Sequence, residues 1–285
     1  MVRLQENSYG KSDVRLTKVV RKGETHILHE LTVQIMLGGA FERIYTDGDN
    51  ASCIPTDTMK NTVYALARKN DFDSPEAFGG ILARHFLQFA QVAWAEVTIE
   101  QEPWVRIPVD GSPHPHSFTR GGSCTRLCTV RLDRGGQPVV CGGLRGLEVI
   151  KTTRSGFAGF FKDPYTTLAD TTDRIFATRI DATWQYVPGN ASYAEVFETA
   201  RAALLETFAR HDSASVQQTI FALGEALLER LPRIASVSIT MPNQHRLLVN
   251  LERFDMDNPN EIFVATREPY GLIKGTVARD GKWEG

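Results

Sequence analysis

The chain has 285 residues, of which 42% are hydrophobic and 23% charged, and its formal net charge is −2. This composition is typical of a folded globular protein of one large or two ordinary domains, and the interspersed charges argue against a nucleic-acid partner. There is no apolar run of the roughly 18 residues that span a membrane, no signal-peptide core at the start, and too few cysteines for a disulfide framework. We therefore expect a cytoplasmic protein with reduced thiols and no membrane partner.

The first predicted element is a β-hairpin. Apolar side chains alternate along Val14–Val20 and again along Leu31–Leu37, and the sequence RKGE at residues 21–24 supplies a tight reversal between them. Extended towards the N-terminus, the same alternation puts Lys11 on the strand face opposite Val14.

Two helices and two more strands follow. The first helix begins near Asp57, and the second opens with Ser74 as N-cap and Pro75 as the first helical residue. Apolar residues repeat at helical spacing in both, as Met59, Val63, Leu66 and Ala67, and then as Phe78, Ile81, Leu82, Phe86 and Phe89. Alternation returns at Ala95–Ile99 and Cys124–Leu132, which predicts two further strands.

The second half repeats this order of elements, although not the residues themselves. The predicted strands are Leu144–Lys151, Ile175–Tyr186, Ser236–Met241 and Arg246–Leu251, and the predicted helices are Ser192–Arg210 and Ser215–Leu231. We therefore predict an α+β protein of two tandem modules, 1–136 and 137–285, each a four-stranded antiparallel sheet with two helices on one face. Gly271–Ala278 is compatible with one extra short strand. The open sheet edges favour oligomerisation, because exposed edges need covering.

Motifs for common cofactors are missing from the sequence. There is no P-loop, no glycine-rich dinucleotide fingerprint and no HExxH zinc motif. The segment His114-Pro115-His116 is the best metal candidate, but nothing nearby completes a ligand set, so we interpret it as a structural pair in a polar loop. Cys124 and Cys128 share a strand face and suit sheet packing better than zinc. The sequence requires neither a metal nor a cofactor.

Two segments of the first half could serve either structure or chemistry. Lys11 lies in YGKSDVR, where the simplest interpretation is a solvated strand residue. The hydroxyl-rich segment that contains Thr56 and Asp57 stands where a helix begins, so it predicts a helix cap, and the unbonded amides of such a turn also suit a ligand.

Two segments of the second half are comparable. The aromatic and glycine-rich run around Phe157, which is followed by Arg174, is either a packing plug or a surface for a flat ligand. Ser215 and Gln218 have capping-box spacing, which puts Val216 and Gln217 in the first turn of a helix. Asn243 and His245 are two residues apart, so they can share one face of a strand or turn.

Taken together, these segments resemble those of urate oxidases. YGKSDVRL, TDTMKNTVY, HPHSF, SGFAGFFKDPYTTL with DRI, SVQQT and PNQH occur in the family's order and at similar spacing, from about Tyr9 to Leu272. The resemblance implies the tunnelling fold (T-fold), with two modules per chain. It also implies a homotetramer that closes into a β-barrel tunnel, with active sites at subunit interfaces.

The resemblance also implies residue roles. Phe157 matches the phenylalanine that stacks on the purine, and Arg174 and Gln217 match the pair that binds one edge of it with help from the Val216 backbone. Asp57 matches a residue whose backbone reaches the purine. Asn243 matches the amide above the ring, where oxygen or water sits. The group that relays protons corresponds to Lys11, Thr56 and His245.

The implied reaction is the oxidation of urate by O2 and water to 5-hydroxyisourate and hydrogen peroxide, without metal or flavin. Lys11 would act as a base in its neutral amine form, and Thr56 would pass a proton between Lys11 and a water held by His245. The family pattern is not matched everywhere. Pro55 replaces a common alanine, Arg246-Leu247-Leu248 stands where an aromatic is usual, and the ending DGKWEG is not a peroxisomal signal, which favours a cytoplasmic enzyme.

Two alternatives stay open on the sequence alone. One is another T-fold enzyme that acts on purines or pterins, typically with zinc or a reactive cysteine. The other is a purine-binding protein without catalysis, which would need the stacking and gripping residues but not Lys11, Thr56 and His245 together.

Overall fold

The computed structural model describes residues 2–189, 192–266 and 268–280, whose contacts form two compact units. Unit 1 comprises the residues up to Leu144 together with Trp184–Phe197, and unit 2 comprises Arg145–Thr183 and the residues from Glu198 onward. Both units are α+β, with antiparallel strands and few helices, which confirms the predicted fold class. Among the described residues, no helix is long and apolar enough to cross a membrane.

Unit 1 is built on a sheet in which the strands lie in the order β1-β2-β3-β6, with every neighbouring pair antiparallel. In chain order its elements are β1 (Tyr9–Lys22), β2 (Thr25–Gly39), α1 (Glu42–Thr46), α2 (Thr56–Lys69), α3 (Pro75–Phe86), β3 (Val92–Gln101), β4 (Trp104–Val109), β5 (Ser112–Arg120) and β6 (Thr125–Asp133). The predicted hairpin is β1 and β2, and the two predicted helices are α2 and α3.

The helices of unit 1 bury the stripes that helical spacing predicts. α2 packs on β1, and α3 packs on β3 and β6. Met59, Val63, Phe78, Leu82 and Phe86 are fully buried against strand residues such as Ile35 and Ile99. Ser74 caps α3 as predicted, because its Oγ accepts the amide N–H of Ala77 at 3.3 Å. Phe89 is 37% exposed, contrary to the prediction, because α3 ends at Phe86.

The hairpin of β4 and β5 was not predicted, and it corrects the interpretation of His114-Pro115-His116. These residues lie on β5 and not in a polar loop. Prolines on both strands hide the alternating pattern, and such prolines are tolerated in a two-stranded ribbon. The overlooked signal is Asp110-Gly111 at the turn, where both φ angles are positive, at 51° and 78°. This dipeptide is a strong hairpin signal.

Unit 2 contains a sheet with the strand order β7-β8-β9-β12. The elements from β7 onward are, in chain order, β7 (Val139–Lys151), β8 (Phe176–Tyr186), α4 (Tyr193–Arg210), α5 (Val216–Arg230), β9 (Ile234–Gln244), β10 (Arg246–Leu248), a 3-10 turn (Glu252–Phe254), β11 (Phe263–Ala265) and β12 (Gly271–Ala278). The first part of β7 and the parts of β8 and α4 that fall within 184–197 are assigned to unit 1. α5 packs on β9 and β12, and Phe208 of α4 contacts Phe176 of β8.

The predicted strand Arg246–Leu251 is wrong as the fourth strand of this sheet. The partner of β9 is β12, in which Gly271 lies opposite Asn243. Only Arg246–Leu248 is extended, and it pairs with β11. The strand stops there because the side chain of Asn250 accepts the amide N–H of Glu252 at 2.8 Å and starts the 3-10 turn.

The repetition between the two halves extends from element order to individual residues. Arg134 follows β6 and donates to carbonyls between α3 and β3, and Arg279 follows β12 and donates to carbonyls between α5 and β9. Gly79 and Gly224 lie where each second helix comes closest to its sheet, since an added Cβ would meet a valine methyl at 2.9 and 2.5 Å. These pairs support the duplication that element order alone suggested.

Candidate active site

The predicted site residues form two groups, one in each unit. Lys11, Thr56 and Asp57 belong to unit 1, and the other six belong to unit 2, namely Phe157, Arg174, Val216, Gln217, Asn243 and His245.

A bulge in β1 controls the direction of Lys11. Lys11 is paired with Ile35 and Val14 with Val33, so the two residues between them face only one residue of β2. Asp13 has φ of 56°, in the left-handed region that an extra residue adopts. Cross-strand partners share a sheet face, and Ile35 is fully buried. Lys11 therefore lies on the same side as Val14, and the alternation that put it opposite Val14 is wrong.

The start of α2 presents Thr56 without a cap. The N-cap position is held by Pro55, which has no side-chain acceptor, and no side chain caps this helix. The first helical hydrogen bond runs from the Met59 N–H to the Pro55 carbonyl at 3.1 Å. The N–H groups of the three residues before Met59 therefore have no acceptor within the helix. Thr56 is the first helical residue and is exposed. The predicted hydroxyl cap is wrong, and the free turn is of the kind that receives acceptors.

The side chain of Asp57 forms hydrogen bonds with two residues of its own helix. Its carboxylate accepts from the Lys60 ammonium and, at 3.0 Å, from the Asn61 amide. The hydrogen bond and charge of Lys60 lower the pKa of Asp57, and the charge of Lys11 adds a smaller effect in the same direction. The ammonium of Lys11 is thus within electrostatic reach of the first turn of α2. The side chain of Asp57 is engaged, which leaves its backbone as the free part.

Tyr9 is a residue of this group that sequence reasoning missed. Its hydroxyl accepts the N–H of Ile54 at 2.8 Å and lies 3.2 Å from the Ile54 carbonyl, to which it donates. Its ring packs edge-on against Phe41, with centroids 5.0 Å apart. The only sequence signal was its position in YGKSDVR. Its partner is 45 residues away, beyond the reach of local patterns.

In unit 2 the backbone joins three segments into one structure. Phe157 and Thr171 exchange two hydrogen bonds of 2.7 and 2.9 Å, and the Arg174 amide donates to the Ser155 carbonyl at 2.7 Å. The Gly156 amide donates to the Ser213 carbonyl at 2.8 Å, just before α5. Phe157 and Arg174 are therefore held in one framework with the start of α5.

Arg174 is a half-buried cation that forms no ion pair with the part of the chain that the structure describes. Its guanidinium lies over the Phe157 ring, 5.5 Å from the centroid. Its Nε is buried and has no hydrogen-bond partner among the described residues. Burial lowers the pKa of Arg174, and no carboxylate of the described residues offsets that effect. Phe160 stacks on Phe157 with centroids 4.9 Å apart, so one face of the Phe157 ring is already covered.

Two further residues that sequence reasoning missed hold this framework together. The Asp173 carboxylate accepts the Thr153 hydroxyl at 2.8 Å and the Arg154 amide at 2.7 Å. The buried hydroxyl of Ser213 donates to the Ser215 carbonyl at 3.1 Å and accepts from Thr219 at 2.8 Å. Asp173 thus fixes the chain beside Arg174, and Ser213 links the aromatic loop to α5.

The first turn of α5 has the predicted cap. Ser215 Oγ accepts the Gln218 amide at 3.1 Å, and the Gln218 side chain accepts the amide of Ala214 at 2.8 Å, one residue earlier than in the usual capping box. Val216 and Gln217 occupy the first two helical positions, as predicted. Val216 is buried and Gln217 is exposed, so the primary amide of Gln217 faces outward.

Asn243 and His245 lie at the end of β9, where several site elements meet. The antiparallel arrangement brings the end of β9 to the start of β8, and the Thr178 hydroxyl donates to the Pro242 carbonyl at 2.8 Å. Arg174 stands two residues before β8. α5 runs from this same end of the sheet towards the start of β9. All six predicted residues of unit 2 therefore converge on one end of its sheet.

The corresponding turn of unit 1 has different chemistry. α3 also begins after a serine cap, but its first two residues are Pro75 and Glu76 instead of Val216 and Gln217. Proline has no N–H, and the fully buried Glu76 carboxylate is held by Arg126 at 2.7 Å. Burial raises the pKa of Glu76, and Arg126 opposes that shift. This turn is closed by its own ion pair, whereas the turn of unit 2 is open.

The structure offers little for a metal. Within the described ranges, no group of three or more His, Cys, Asp or Glu could hold an ion. His114 contacts His116, with centroids 4.5 Å apart, and His116 contacts His26 at 5.7 Å. None of the four cysteines forms a disulfide, and burial raises the pKa of the Cys128 thiol well above its ordinary value.

Comparison with known proteins supplies independent evidence. The family model described as Uricase matches residues 7–131 and 140–274. The chain is 41% identical to the uricase of Arthrobacter globiformis over 279 residues, which is 98% of this chain and 90% of the relative. It is 38% identical to the uricase of Dictyostelium discoideum, with 98% of each chain covered. The crystal structure of the Arthrobacter globiformis protein superposes with a TM-score of 0.94 at 40% identity, covering 100% of this chain and 98% of that one.

Proposed function

The chain belongs to the uricase family and is a urate oxidase, and on that premise we propose how its residues divide the reaction. Unit 2 binds the purine, and unit 1 supplies the base and part of the proton relay. The reaction converts urate, O2 and water into 5-hydroxyisourate and hydrogen peroxide, with no metal or organic cofactor.

The environment of the Arg174 guanidinium is the main support for the binding role of unit 2. A half-buried guanidinium over an aromatic ring, whose buried Nε has no partner among the described residues, gains a hydrogen bond when an acceptor binds. Urate is planar and anionic, with oxygens and nitrogens along its edges. Such a ligand satisfies a planar guanidinium by paired hydrogen bonds and offers a flat ring for contact with Phe157.

The first turn of α5 completes the grip. The backbone N–H groups of Val216 and Gln217 lie in the first turn of α5 and have no acceptor within the helix. The side-chain amide of Gln217 carries both a donor and an acceptor. A purine edge carries both hydrogen-bond donors and acceptors, so Arg174 and Gln217 can form hydrogen bonds with the same edge. Asn243, at the end of β9, would hold O2 or water above the ring.

The chemical step needs a proton acceptor on the other side. Lys11 takes a proton from the urate monoanion, and the electron-rich dianion then reduces O2. A hydroperoxide forms on the ring and leaves as hydrogen peroxide, after which water adds to give 5-hydroxyisourate. Thr56 passes protons between Lys11 and a water held by His245. The reach of Lys11 to the first turn of α2 supports this relay.

We further propose a homotetramer, with each site shared by two chains. Unit 1 of one chain would bring Lys11 and Thr56, and unit 2 of its neighbour would bring the purine-binding residues and His245. Two large side chains of the aromatic loop support an oligomer, because Phe161 and Tyr165 are 89% and 90% exposed in the single chain. We also propose that the enzyme is cytoplasmic.

The two alternative functions have less support. A zinc-dependent or cysteine-dependent T-fold enzyme would need a ligand cluster or a reactive thiol. Cys128, whose burial raises its thiol pKa, is a poor nucleophile. A purine-binding protein without catalysis does not account for Lys11 beside the uncapped turn of Thr56.

The direct test is oxygen uptake by purified protein dialysed against a strong chelator. Urate should cause consumption of one O2 per urate, with one hydrogen peroxide formed. Treatment with the chelator should leave the rate unchanged. Activity that disappears on chelation and returns with one metal would overturn the cofactor-free mechanism, and a lack of any uptake would overturn the activity itself.

A further inference from the structure

The Tyr9 hydroxyl joins the strand of Lys11 to the segment that leads into Thr56. It bonds both backbone groups of Ile54, at 2.8 and 3.2 Å. Tyr9 stands two residues before Lys11, and Ile54 stands two residues before Thr56. This contact therefore ties together the approaches to both relay residues.

The backbone between Ile54 and Thr56 has little conformational freedom, so fixing Ile54 also restricts the position of Thr56. Ile54 is buried, and the next residue, Pro55, has a fixed φ of −57° and leads directly into α2. On the other side, Tyr9 is anchored by its pairing with Leu37 and by its edge contact with Phe41. Few free torsions separate the phenol from either relay residue.

We propose that the Tyr9 hydroxyl is a positioning group, which sets the distance between Thr56 and Lys11 for proton transfer. This inference rests on the proposed function. Tyr9 is not a catalytic residue, since it acts on the reaction only through the position of Thr56.

The protonation state of Tyr9 suits this role. Burial raises its pKa to about 12, with an opposing effect from the hydrogen bond to Ile54. The phenol therefore stays protonated at neutral and moderately alkaline pH, where it both accepts from Ile54 N–H and donates to the carbonyl. A charged phenolate could only accept.

The structure offers a second tether of the same loop as a comparison. The Gln91 side chain donates to the Ser52 carbonyl at 3.2 Å, four residues before Thr56. A general loosening of the loop would follow from losing either tether. A specific effect on Thr56 requires the tether at Ile54.

The test is Tyr9→Phe, which keeps the ring on Phe41 and removes only the hydroxyl. We expect kcat for urate to fall roughly 10- to 100-fold, as misplacement of about 1 Å does, while KM stays within about twofold. Two controls should keep kcat within about twofold of the parent. Gln91→Leu removes the other tether, and Tyr45→Phe removes an exposed phenol that bonds the Ser8 carbonyl.

A double variant separates positioning from a structural role. In a Thr56→Ala background, Tyr9→Phe should lower kcat no further, because the group it positions is gone. An additional 10-fold loss there, an unchanged kcat in the single variant, or a variant unfolded at the assay temperature would each overturn the inference. Failure of the proposed function is distinguishable, because the unaltered chain would then not oxidise urate.

Discussion

Replacing Arg174 by Met should stabilise the free protein while abolishing efficient turnover. Met matches the length of the arginine stem but carries no charge. In the free protein, the buried and unbonded Nε of Arg174 lowers the free energy of unfolding by about 1–3 kcal/mol, and Met removes this cost. The lost contact with the Phe157 ring costs about 0.5–1 kcal/mol. The net gain is about 0–2.5 kcal/mol, or at most roughly 5 °C in Tm for a chain of this size.

The same change should remove paired hydrogen bonds to the substrate. Each charge-assisted bond contributes about 1.5–3 kcal/mol, so losing two should lower kcat/KM by about 10²- to 10⁴-fold. Saturating urate, or a non-reactive purine, should raise the Tm of the parent but not of Arg174→Met.

The assays are thermal unfolding with and without ligand, and initial rates of oxygen uptake. Arg179→Met is the matched control, because Arg179 lies in the same unit, is half-exposed and pairs with Asp181. It should change neither kcat/KM nor the ligand-induced shift. The reasoning fails if Arg174→Met lowers Tm by several degrees while kcat/KM stays within about threefold, since Arg174 would then be a structural residue.

Other residues lead to further predictions. Lys11→Met and Thr56→Ala should each lower kcat by roughly 10²-fold or more, and the double variant should be little worse than either, because relay residues act as a unit. Fully multiplicative losses in steady-state kinetics would show that they act independently. Asp173→Asn should raise KM for urate about three- to tenfold with less change in kcat, because it loosens the backbone beside Arg174. Asp212→Asn is its control, since Asp212 binds the side chain of Arg154 and not its backbone, and an equal KM for both variants would refute the positioning role of Asp173.

Sequence patterns correctly predicted the strands and helices that are determined by residues close together in the chain. The hairpin of β1 and β2 follows from alternation, and α3 and α5 begin where Ser74 and Ser215 provide caps. The helix stripes matched burial because helical spacing alone decides which face meets the sheet. The order of elements was enough to predict the duplication.

The features that failed depend on backbone detail or on distant partners. The bulge at Asp13 reverses the face of Lys11, and no alternation pattern shows a single residue in the left-handed region. β12 replaced Arg246–Leu251 in the sheet, because strand pairing is decided by partners far along the chain. The β4–β5 hairpin was hidden by its prolines despite the Asp110-Gly111 turn.

The candidate site shows the same division. Residue types in the six motifs predict the groups that we propose to bind and react. The groups that hold them, such as Tyr9, Asp173 and Ser213, were not identified, because their contacts join segments that are up to 45 residues apart. A tether between a side chain and a distant backbone has no periodic signature in the sequence.

The central claim, that each site draws Lys11 from one chain and Arg174 from another, is tested most directly by mixing two inactive variants. Lys11→Ala and Arg174→Ala homo-oligomers should each be nearly inactive. When the two are refolded together in equal amounts, a site is intact only if its unit 1 comes from the second variant and its unit 2 from the first. Random assembly therefore predicts recovery of about a quarter of the parent activity. Mixed oligomers, confirmed by native mass spectrometry, that stay as inactive as their parents would contradict the shared site.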